Sequence, residues 1–308
     1  MKETVVVAVG GNALLQRREA LSHENQLKNI KIAAKNIAAL HKKYNVIIVH
    51  GNGPQIGLLA LQNLVYTDVP PYPFDVLGAE TQGMIGYLIQ QAVMNCLPGV
   101  DMSTLVTQVE VDPADPLFKN PTKFIGPVYD ENFAKDCSVR YQWSLKPDGA
   151  GWRRVVPSPE PKNIVELKAI KSLIEQGHIV VCCGGGGCPV VRNNGYLQGV
   201  EAVIDKDASA SVLADQLNAD HLLILTDTNH VYLDWGLPTQ RPLLKITTEE
   251  LMDINFAAGS MGPKIEACMS FVELDQKRKA YIGALADASA ILEGRAGTQI
   301  TSNCSQKM

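Results

Sequence analysis

Apolar segments that run directly into glycines recur along this chain and constrain its fold more than any other feature. The first is VVVAVGGNALL, residues 5–15. Three segments end in this way, at Gly10, Gly11 and Asn12, at Gly51, Asn52 and Gly53, and at Gly184–Gly187. Short β-branched runs bounded by glycine are typical of buried strands, and glycine lets the main chain bring its N–H groups close to a ligand. Each turn therefore suits phosphate or carboxylate oxygens, with a plain β-turn as the alternative.

Helical segments alternate with these strands. The apolar spacing predicts an amphipathic helix over residues 25–43, between strands at 4–9 and 45–50. Further strands are predicted at 103–111, 178–183, 221–228 and 230–235, helices at 80–97, 163–176, 205–217 and 262–274, and hairpins at 140–156 and 191–200. This alternation indicates an α/β fold with a mainly parallel sheet, in which ligands bind beyond the carboxyl ends of the strands. Three glycine turns at such ends favour an anion-binding edge.

The composition changes abruptly at residue 112. From 112 to 161 the sequence is rich in proline and aromatic residues and holds two of the three tryptophans, Trp143 and Trp152. A chain of 308 residues exceeds a typical single domain, so a large α/β domain with an addition is expected. We therefore predict one α/β domain from residues 1–111 and 162–308, with residues 112–161 as an inserted subdomain.

Charge and cysteine content disfavour several classes of protein. A formal net charge of −4 argues against binding to nucleic acid or to an anionic membrane surface, so any basic site has to be local. No apolar run reaches the roughly 18 residues of a membrane span, and the first residues, MKETVVVAVGGN, lack the pattern of a signal peptide. Seven cysteines without CxxC spacing are typical of reduced thiols, which predicts a cytoplasmic protein.

Motifs of several other enzyme classes are absent from the sequence. It contains no HExxH, no GxSxG and no paired Cys and His spacing, which disfavours metal-dependent and serine hydrolases. Cys182 and Cys183 lie in an apolar strand by this interpretation, where burial raises the pKa of a thiol and removes its nucleophilicity. His50 ends a strand, and we expect it to make a structural hydrogen bond rather than to bind a metal.

Two lysines lie beside predicted helix starts. Lys206 is flanked by Asp205 and Asp207, whose carboxylates could cap free N–H groups at the start of a helix. Lys206 is therefore either a functional residue or a solvated lysine on a capped surface helix. Lys264, in GSMGPKIEA, lies at the start of another helix, a position that suits phosphate binding rather than helix stability. Lys123, within the predicted insertion, has on its own the character of a surface charge.

Six motifs follow one another along the chain: VVVAVGGNAL, VIIVHGNGPQIG, VVCCGGGGCPVV, VEAVIDKDASASVLA, LLILTDTNHVYLDWG and GSMGPKIEA. Together they resemble the successive motifs of the carbamate kinases, within the amino-acid kinase superfamily, over residues 4–300. GGNAL combined with HGNGPQ distinguishes this family from relatives such as the acetylglutamate, aspartate and uridylate kinases. Residues 112–161 are similar in place and length to the protruding subdomain of the family.

The resemblance implies a three-layer αβα sandwich with a mainly parallel central sheet, and a homodimer. It implies reversible phosphoryl transfer between ATP and carbamate, usually from carbamoyl phosphate to ADP, after which carbamate decays to ammonia and bicarbonate. In many organisms this reaction ends the arginine deiminase pathway and supplies ATP. The family uses Mg²⁺ with ATP or ADP, and we expect phosphate oxygens to hold most of it, with no metal ligand set from the protein.

The resemblance also gives expected roles to single residues. Lys206 and Lys264 match paired lysines that flank the transferring phosphoryl group, with Asp207 orienting them. The other matches are substrate and phosphate contacts at Gly10, Gly11, Asn12, Gly51, Asn52 and Gly53, a lid lysine at Lys123, and a nucleotide pocket at Asp227, Tyr232, Met261 and Gly262. For Gly184–Gly187, contact with phosphates and a purely structural turn both stay open.

Two other functions compete with this one. A kinase for a larger carboxylate would need room and an extra counter-ion, whereas the GNGPQ loop and Lys123 suggest a very small substrate. A regulatory module that only binds nucleotide would have no reason to keep Lys206, Asp207 and Lys264, which act on a transition state.

Overall fold

Strands and helices alternate along most of the chain. The structure is a computed structural model that describes residues 2–15, 19–66, 68–256 and 260–302, with the backbone alone at residues 12 and 13. The strands are β1 Glu3–Val9, β2 Tyr44–His50, β3 Met102–Thr104, β4 Gln108–Val111, β5 Lys123–Tyr129, β6 Ser144–Asp148, β7 Gly151–Val156, β8 Pro161–Ile164, β9 Ile179–Val181, β10 Cys188–Asn193, β11 Tyr196–Gly199, β12 His221–Thr226, β13 Val231–Leu233, β14 Arg241–Leu243, β15 Lys245–Thr247, β16 Lys279–Ala284 and β17 Thr298–Thr301. The helices are α1 Gly11–Leu14, α2 His23–His41, α3 Gly53–Val65, α4 Phe74–Cys96, α5 Glu131–Tyr141, α6 Leu167–Glu175, α7 Lys206–Gln216, α8 Thr248–Met252, α9 Gly262–Glu273 and α10 Ala288–Leu292.

An eight-stranded sheet forms the centre of the protein. Its strands lie in the order β15, β17, β16, β12, β1, β2, β9 and β3, and neighbours are parallel except for β16 and β17. Side chains of β1 alternate between two cores, with Val6 and Ala8 in one and Val5, Val7 and Val9 in the other. Burial of both faces explains why this strand is apolar without interruption.

Helices cover both faces of the central sheet. α6, α7 and α9 contribute Ile170, Leu213 and Phe271 to one core, and α2 and α4 contribute Ile37 and Ile89 to the other. Fully burying an apolar side chain of this size contributes roughly 1.5–3 kcal/mol, so these faces hold the helices firmly. The result is a three-layer αβα sandwich, which confirms the predicted fold class.

The register of the central strands brings the glycine turns to one edge of the sheet. Val9 lies opposite both His50 in β2 and Leu225 in β12, so these three strands end side by side. The ladder continues one residue further, because Gly10 N donates to Leu225 O and Gly51 N donates to Val9 O, both at 2.9 Å. The loops that follow β1, β2 and β12 therefore meet at the carboxyl edge.

Residues 112–161 contain a small sheet of their own. β5, β7 and β6 form it with antiparallel neighbours, and the predicted hairpin at Asp148–Gly151 joins β6 to β7. β4 and β8, which flank this segment in sequence, pair with each other in a four-stranded sheet of order β11, β10, β4, β8. β13 and β14 form a separate antiparallel pair. The division into 1–111 with 162–308 and an inserted 112–161 stays a prediction.

Three boundaries predicted from the sequence are wrong. The strand predicted at 103–111 is in fact two strands, β3 and β4, which lie in different sheets. The chain passes from one sheet to the other at Thr107, where the backbone N–H donates a hydrogen bond to the side chain of Gln82 at 2.9 Å. The helix predicted over 163–176 starts only at α6, because β8 pairs with β4 first. The helix predicted over 80–97 already begins at Phe74. Among the helices of the described ranges, none is both long and apolar enough to cross a membrane.

Candidate active site

A cavity of about 1460 Å³ opens at the carboxyl ends of the central strands. The loops after β1, β2 and β12 line it, together with the first residues of α3, α7 and α9 and residues of β5 and β7. The N-terminus of a helix carries partial positive charge and free N–H groups. Three such ends around one cavity favour an anionic ligand, as the sequence predicts for this edge.

Lys206, Asp207 and Lys264 form a charged cluster in this cavity. Lys206 Nζ donates to Asp207 Oδ1, and Lys264 Nζ donates to Asp207 Oδ2 at 2.9 Å. Lys206 begins α7, Lys264 lies in the first turn of α9, and these two helices pack against each other. That packing brings together two lysines that are far apart in the sequence. Each ammonium group donates one N–H to Asp207 and has further N–H groups that can bind a ligand.

Burial determines the electrostatics of the cluster. The side chains of Lys206, Lys264 and Asp207 are 11%, 17% and 3% exposed. Burial lowers the pKa of Lys206, against the attraction of Asp207. Burial opposes ionisation of Asp207, but the two lysines outweigh it and hold the pKa of this carboxyl below its usual value. For Lys264 the attraction of Asp207 outweighs burial, and its pKa is raised, so Asp207 and Lys264 are charged at neutral pH.

Asp205 links the segment 112–161 to the body of the protein. Its Oδ1 accepts hydrogen bonds from the N–H groups of Asp207 and Ala208, at 2.9 and 3.4 Å, and so caps α7. Its Oδ2 accepts a hydrogen bond from Lys123 Nζ at the start of β5. Burial opposes ionisation of Asp205, but Lys123 and then Lys206 outweigh it and hold its pKa far below the usual value. Lys123 is thereby held in the cavity.

The first two glycine turns are packed against each other. A Cβ on Gly51 would lie 2.8 Å from Gly11 N, which only glycine avoids, and a Cβ on Gly10 would lie 3.0 Å from Leu225 O. The residues of these turns that line the cavity are Gly11, Gly51, Asn52 and Gly53. Gly10 packs against β12 instead, and Asn12 lies in α1 with its side chain outside the described residues.

The turn Gly184–Gly187 supports the loop after β2. A Cβ on Gly184 would lie 2.3 Å from His50 Nε2, and a Cβ on Gly185 would lie 2.0 Å from Asn52 Nδ2. Gly185 also has a φ of +65°, in the left-handed region that favours glycine, and it lines the cavity. Burial lowers the pKa of His50 to about 4, so this side chain is neutral, with Nδ1 3.1 Å from the adjacent carbonyl oxygen. These contacts give the turn a structural role, and because Gly185 also lines the cavity, contact with phosphates stays a prediction beside it.

The four residues expected at a nucleotide lie together around β12, β13 and α9. Asp227 follows β12, Tyr232 lies in β13, and Met261 precedes α9, and all three line the cavity. Gly262 is buried as the first residue of α9. The ring centroid of Tyr232 lies 5.3 Å from that of Trp235, which is 65% exposed. Two neighbouring aromatic rings at the rim offer a surface on which a purine can stack.

The described residues offer no dedicated metal cage. Within the ranges that the structure covers, no three His, Cys, Asp or Glu side chains are grouped to hold a metal ion. Two of the carboxylates that line the cavity, Asp205 and Asp207, are each paired with lysine. This donor set fits a Mg²⁺ ion that is chelated mainly by phosphate oxygens, since Mg²⁺ commonly binds through substrate phosphates and few protein ligands.

Known proteins resemble this chain in sequence and architecture over almost its whole length. Residues 3–283 match the model of the family described as "Amino acid kinase family". Carbamate kinase of Haemophilus influenzae is 51% identical over 299 residues, which cover 96% of this chain and 96% of that protein. Carbamate kinase of Escherichia coli K12 is 49% identical over 299 residues, which cover 97% of this chain and 99% of that protein. The chain belongs to the carbamate kinases of the amino acid kinase family.

Solved structures agree with this assignment. Carbamate kinase from Giardia lamblia bound to AMP-PNP has a TM-score of 0.90 and 43% sequence identity, covering 98% of this chain and 99% of that one. UMP kinase from Ureaplasma parvum, at 15% identity and a TM-score of 0.55, shares the fold alone. This carbamate kinase is therefore a phosphotransferase.

Several residues at the site of this kinase were not predicted from the sequence as site residues. Asp205 was expected only as a possible cap, and its ion pair with Lys123 joins residues 82 positions apart. Arg153 in β7 lines the cavity, where its Nε donates to Gly126 O at 2.7 Å. Trp235 lies beside Tyr232. The capping pattern around Asp205 was a local signal, whereas the contacts of Lys123 and Arg153 depend on how the 112–161 segment folds back.

Proposed function

We propose that this kinase transfers a phosphoryl group reversibly between ATP and carbamate, mainly from carbamoyl phosphate to ADP. The observation that carries the proposal is the buried Lys206, Asp207 and Lys264 cluster beside three helix N-termini. The names of relatives about 50% identical to this chain support carbamate as the acceptor. Carbamate then decays to ammonia and bicarbonate.

The chemistry of this transfer fits a site made of cations and N–H groups. Carbamate already carries an anionic oxygen nucleophile, so the reaction needs no general base. The barrier comes mainly from bringing two anions together and aligning them for in-line transfer. A cavity with buried lysines and helix N-termini meets that requirement.

Lys206 and Lys264 flank the transferring phosphoryl group in this proposal. Asp207 binds one N–H of each lysine and is itself almost fully buried, so it fixes the separation and direction of the two ammonium groups. The remaining N–H groups stabilise the charge that moves from one oxygen to the other during transfer.

Lys123 supplies a further positive charge from the inserted subdomain, which acts as a lid. Its bond to Asp205 holds β5 against the cavity, and a substrate phosphate can take over this lysine from the carboxylate. Gly11, Gly51, Asn52 and Gly53 contact carbamate and the phosphoryl oxygens, with Gly10 shaping the turn, and Asn12 is assigned to the same group by resemblance.

Asp227, Tyr232, Met261 and Gly262 form the nucleotide pocket in this proposal. Mg²⁺ binds with ATP or ADP, and when bound it neutralises phosphate charge. Lysines occupy Asp205 and Asp207, and in this proposal phosphate oxygens hold most of the ion. We also propose, from the family resemblance, that the protein is a cytoplasmic homodimer that supplies ATP at the end of the arginine deiminase pathway.

ATP formation from ADP, Mg²⁺ and carbamoyl phosphate tests the proposal directly. Lys206→Ala and Lys264→Ala should each lower kcat/KM on the order of 10²–10³-fold, the range for one lost electrostatic donor. Lys31→Ala, at an exposed position of α2, is the matched control and should keep full activity. ADP binding by calorimetry and thermal melting confirm that each variant is folded.

Two outcomes contradict the proposal. A folded, ADP-binding wild type without turnover would reject carbamate as the substrate and favour another carboxylate or a regulatory role. Wild-type activity in either active-site lysine variant would reject the role given to that lysine.

A further inference from the structure

The side chain of Asn52 is held by a two-step hydrogen-bond chain. Asn52 lies between β2 and α3, is only 5% exposed, and lines the cavity. Its Nδ2 donates to Thr81 Oγ1 at 2.8 Å, and Thr81 Oγ1 donates to Gly78 O at 2.8 Å, within α4. Thr81 is fully buried, so this chain is shielded from water.

The donors and acceptors of this chain fix the orientation of the Asn52 amide. A hydroxyl has one proton, and a peptide carbonyl such as Gly78 O can only accept. The proton of Thr81 is therefore committed to Gly78, and the atom of Asn52 that faces Thr81 has to be the nitrogen. Asn52 Oδ1 points away from Thr81 as a consequence.

Asn52 Oδ1 is an acceptor that the cavity can reach. None of the residues that the structure describes donates a hydrogen bond to it, and it is not among their enclosed, unpaired polar atoms. The amide packs against Gly185, where a Cβ would lie 2.6 Å from Oδ1, so glycine at that position makes room for the side chain. A ligand in the cavity therefore meets a fixed acceptor at this point.

We propose that Asn52 Oδ1 accepts a hydrogen bond from the amino group of carbamate and of carbamoyl phosphate, and that Thr81 is the positioning residue that sets this specificity. The inference rests on the proposed function and deepens it. It assigns to the site a preference for acyl phosphates that carry an N–H donor next to the carbonyl carbon.

Acetyl phosphate is the informative comparison because it replaces this amino group with a methyl group of similar size. Facing the methyl group, Oδ1 loses its partner, and an unpaired acceptor on a side chain that is only 5% exposed is costly. A site built to bond an N–H group rejects the analogue that lacks it far better than shape alone can.

The experiment measures kcat/KM for ADP phosphorylation by carbamoyl phosphate and by acetyl phosphate in the wild type, Thr81→Val and Thr81→Ser. Valine keeps the shape of threonine but removes the acceptor for Nδ2, so the Asn52 amide loses its fixed orientation. The wild type should prefer carbamoyl phosphate, and Thr81→Val should lower that preference on the order of tenfold. Thr81→Ser keeps the hydroxyl and should keep the preference.

The ratio of the two donors separates a positioning role from a structural one. If Thr81→Val lowers both activities equally, or leaves the ratio unchanged, the inference is wrong while the proposed function stands. If the wild type binds ADP but uses neither donor, the proposed function and this inference fail together. If Thr81→Val does not fold, Thr81→Ser gives the test. A change in its ratio of kcat/KM for carbamoyl phosphate to kcat/KM for acetyl phosphate overturns the inference, and an unchanged ratio supports the role of the hydroxyl group.

Discussion

The contact between α3 and β5 determines how closely the segment 112–161 approaches the cavity. Gly57 in α3 faces Gly126 in β5, and a Cβ on Gly57 would lie 2.2 Å from Gly126 Cα and 2.5 Å from Gly126 N. Both of these atoms are backbone, so no side-chain rotation can relieve the clash. Gly57→Ala therefore has to move the strand away from the helix.

The size of this movement follows from the distances. Carbon atoms pack at about 3.5–4.0 Å, so the two backbones have to separate by at least about 1.3 Å. Overpacking of this kind costs about 1–3 kcal/mol, against a gain of roughly 0.5–1 kcal/mol from replacing glycine within a helix. Because β5 begins at Lys123, the same displacement pulls this lysine from Asp205.

Steady-state kinetics with carbamoyl phosphate and ADP would measure the effect. We expect Gly57→Ala to lower kcat/KM for carbamoyl phosphate at least about tenfold, since misplacement by 1 Å can cost on the order of 10²-fold. ADP affinity should stay within about twofold, because the nucleotide residues lie on β12, β13 and α9, away from this contact. The melting temperature should fall by a few degrees, about 2–4 °C for each kcal/mol lost.

Gly83→Ala in α4 is the matched control, because a Cβ at this helical glycine meets nothing within 4 Å. It should leave kinetics unchanged and keep or slightly raise stability. Unchanged kcat/KM and melting temperature in Gly57→Ala would refute the view that this contact positions the segment.

Two further predictions concern Asp205 and Gly185. The folded-state pKa of Asp205 lies below its unfolded value, so its contribution to stability is present at neutral pH and is lost as the pH falls below about 4. In urea unfolding, Asp205→Asn should lower the free energy of unfolding at pH 7 by on the order of 1 kcal/mol, and this free energy should then decrease less as the pH falls. Asp130→Asn, at the exposed cap of α5, is the control and should change neither the free energy of unfolding at pH 7 nor its dependence on pH. Gly185→Ala places a Cβ 2.0 Å from the Asn52 amide and should lower kcat for carbamoyl phosphate at least about tenfold. Gly195 also has a positive φ, but a Cβ there would meet no atom within 4 Å, so Gly195→Ala is the control and should only reduce stability. Equal activity loss in the two glycine variants would contradict the role of the Asn52 contact.

The sequence predicted those features that depend on neighbouring residues. Apolar runs ending in glycine located β1, β2 and the turn after β9, and the alternation of strands and helices indicated the αβα sandwich. Asp205, Lys206 and Asp207 were singled out together because they adjoin one another at a helix start.

Features that depend on distant partners could not be predicted in this way. The residues of β3 and β4 form one apolar alternation, and only pairing with β9 on one side and with β8 and β10 on the other splits them between two sheets. The bond from Lys123 to Asp205 depends on the fold of residues 112–161, and Lys123 on its own had the character of a surface charge. Thr81 had no local signal, since a threonine within a helix is ordinary and its partner Asn52 lies 29 positions earlier.

The order of the central strands has a consequence for biosynthesis. β1 is synthesised shortly before its neighbour β2, but its other neighbour in the sheet, β12, begins only at His221. Until then the nascent chain carries VVVAV with one edge unpaired, a segment prone to pair with other chains. We expect late completion of the sheet to make chaperone binding during synthesis advantageous, and a chain truncated before residue 221 to be prone to aggregation.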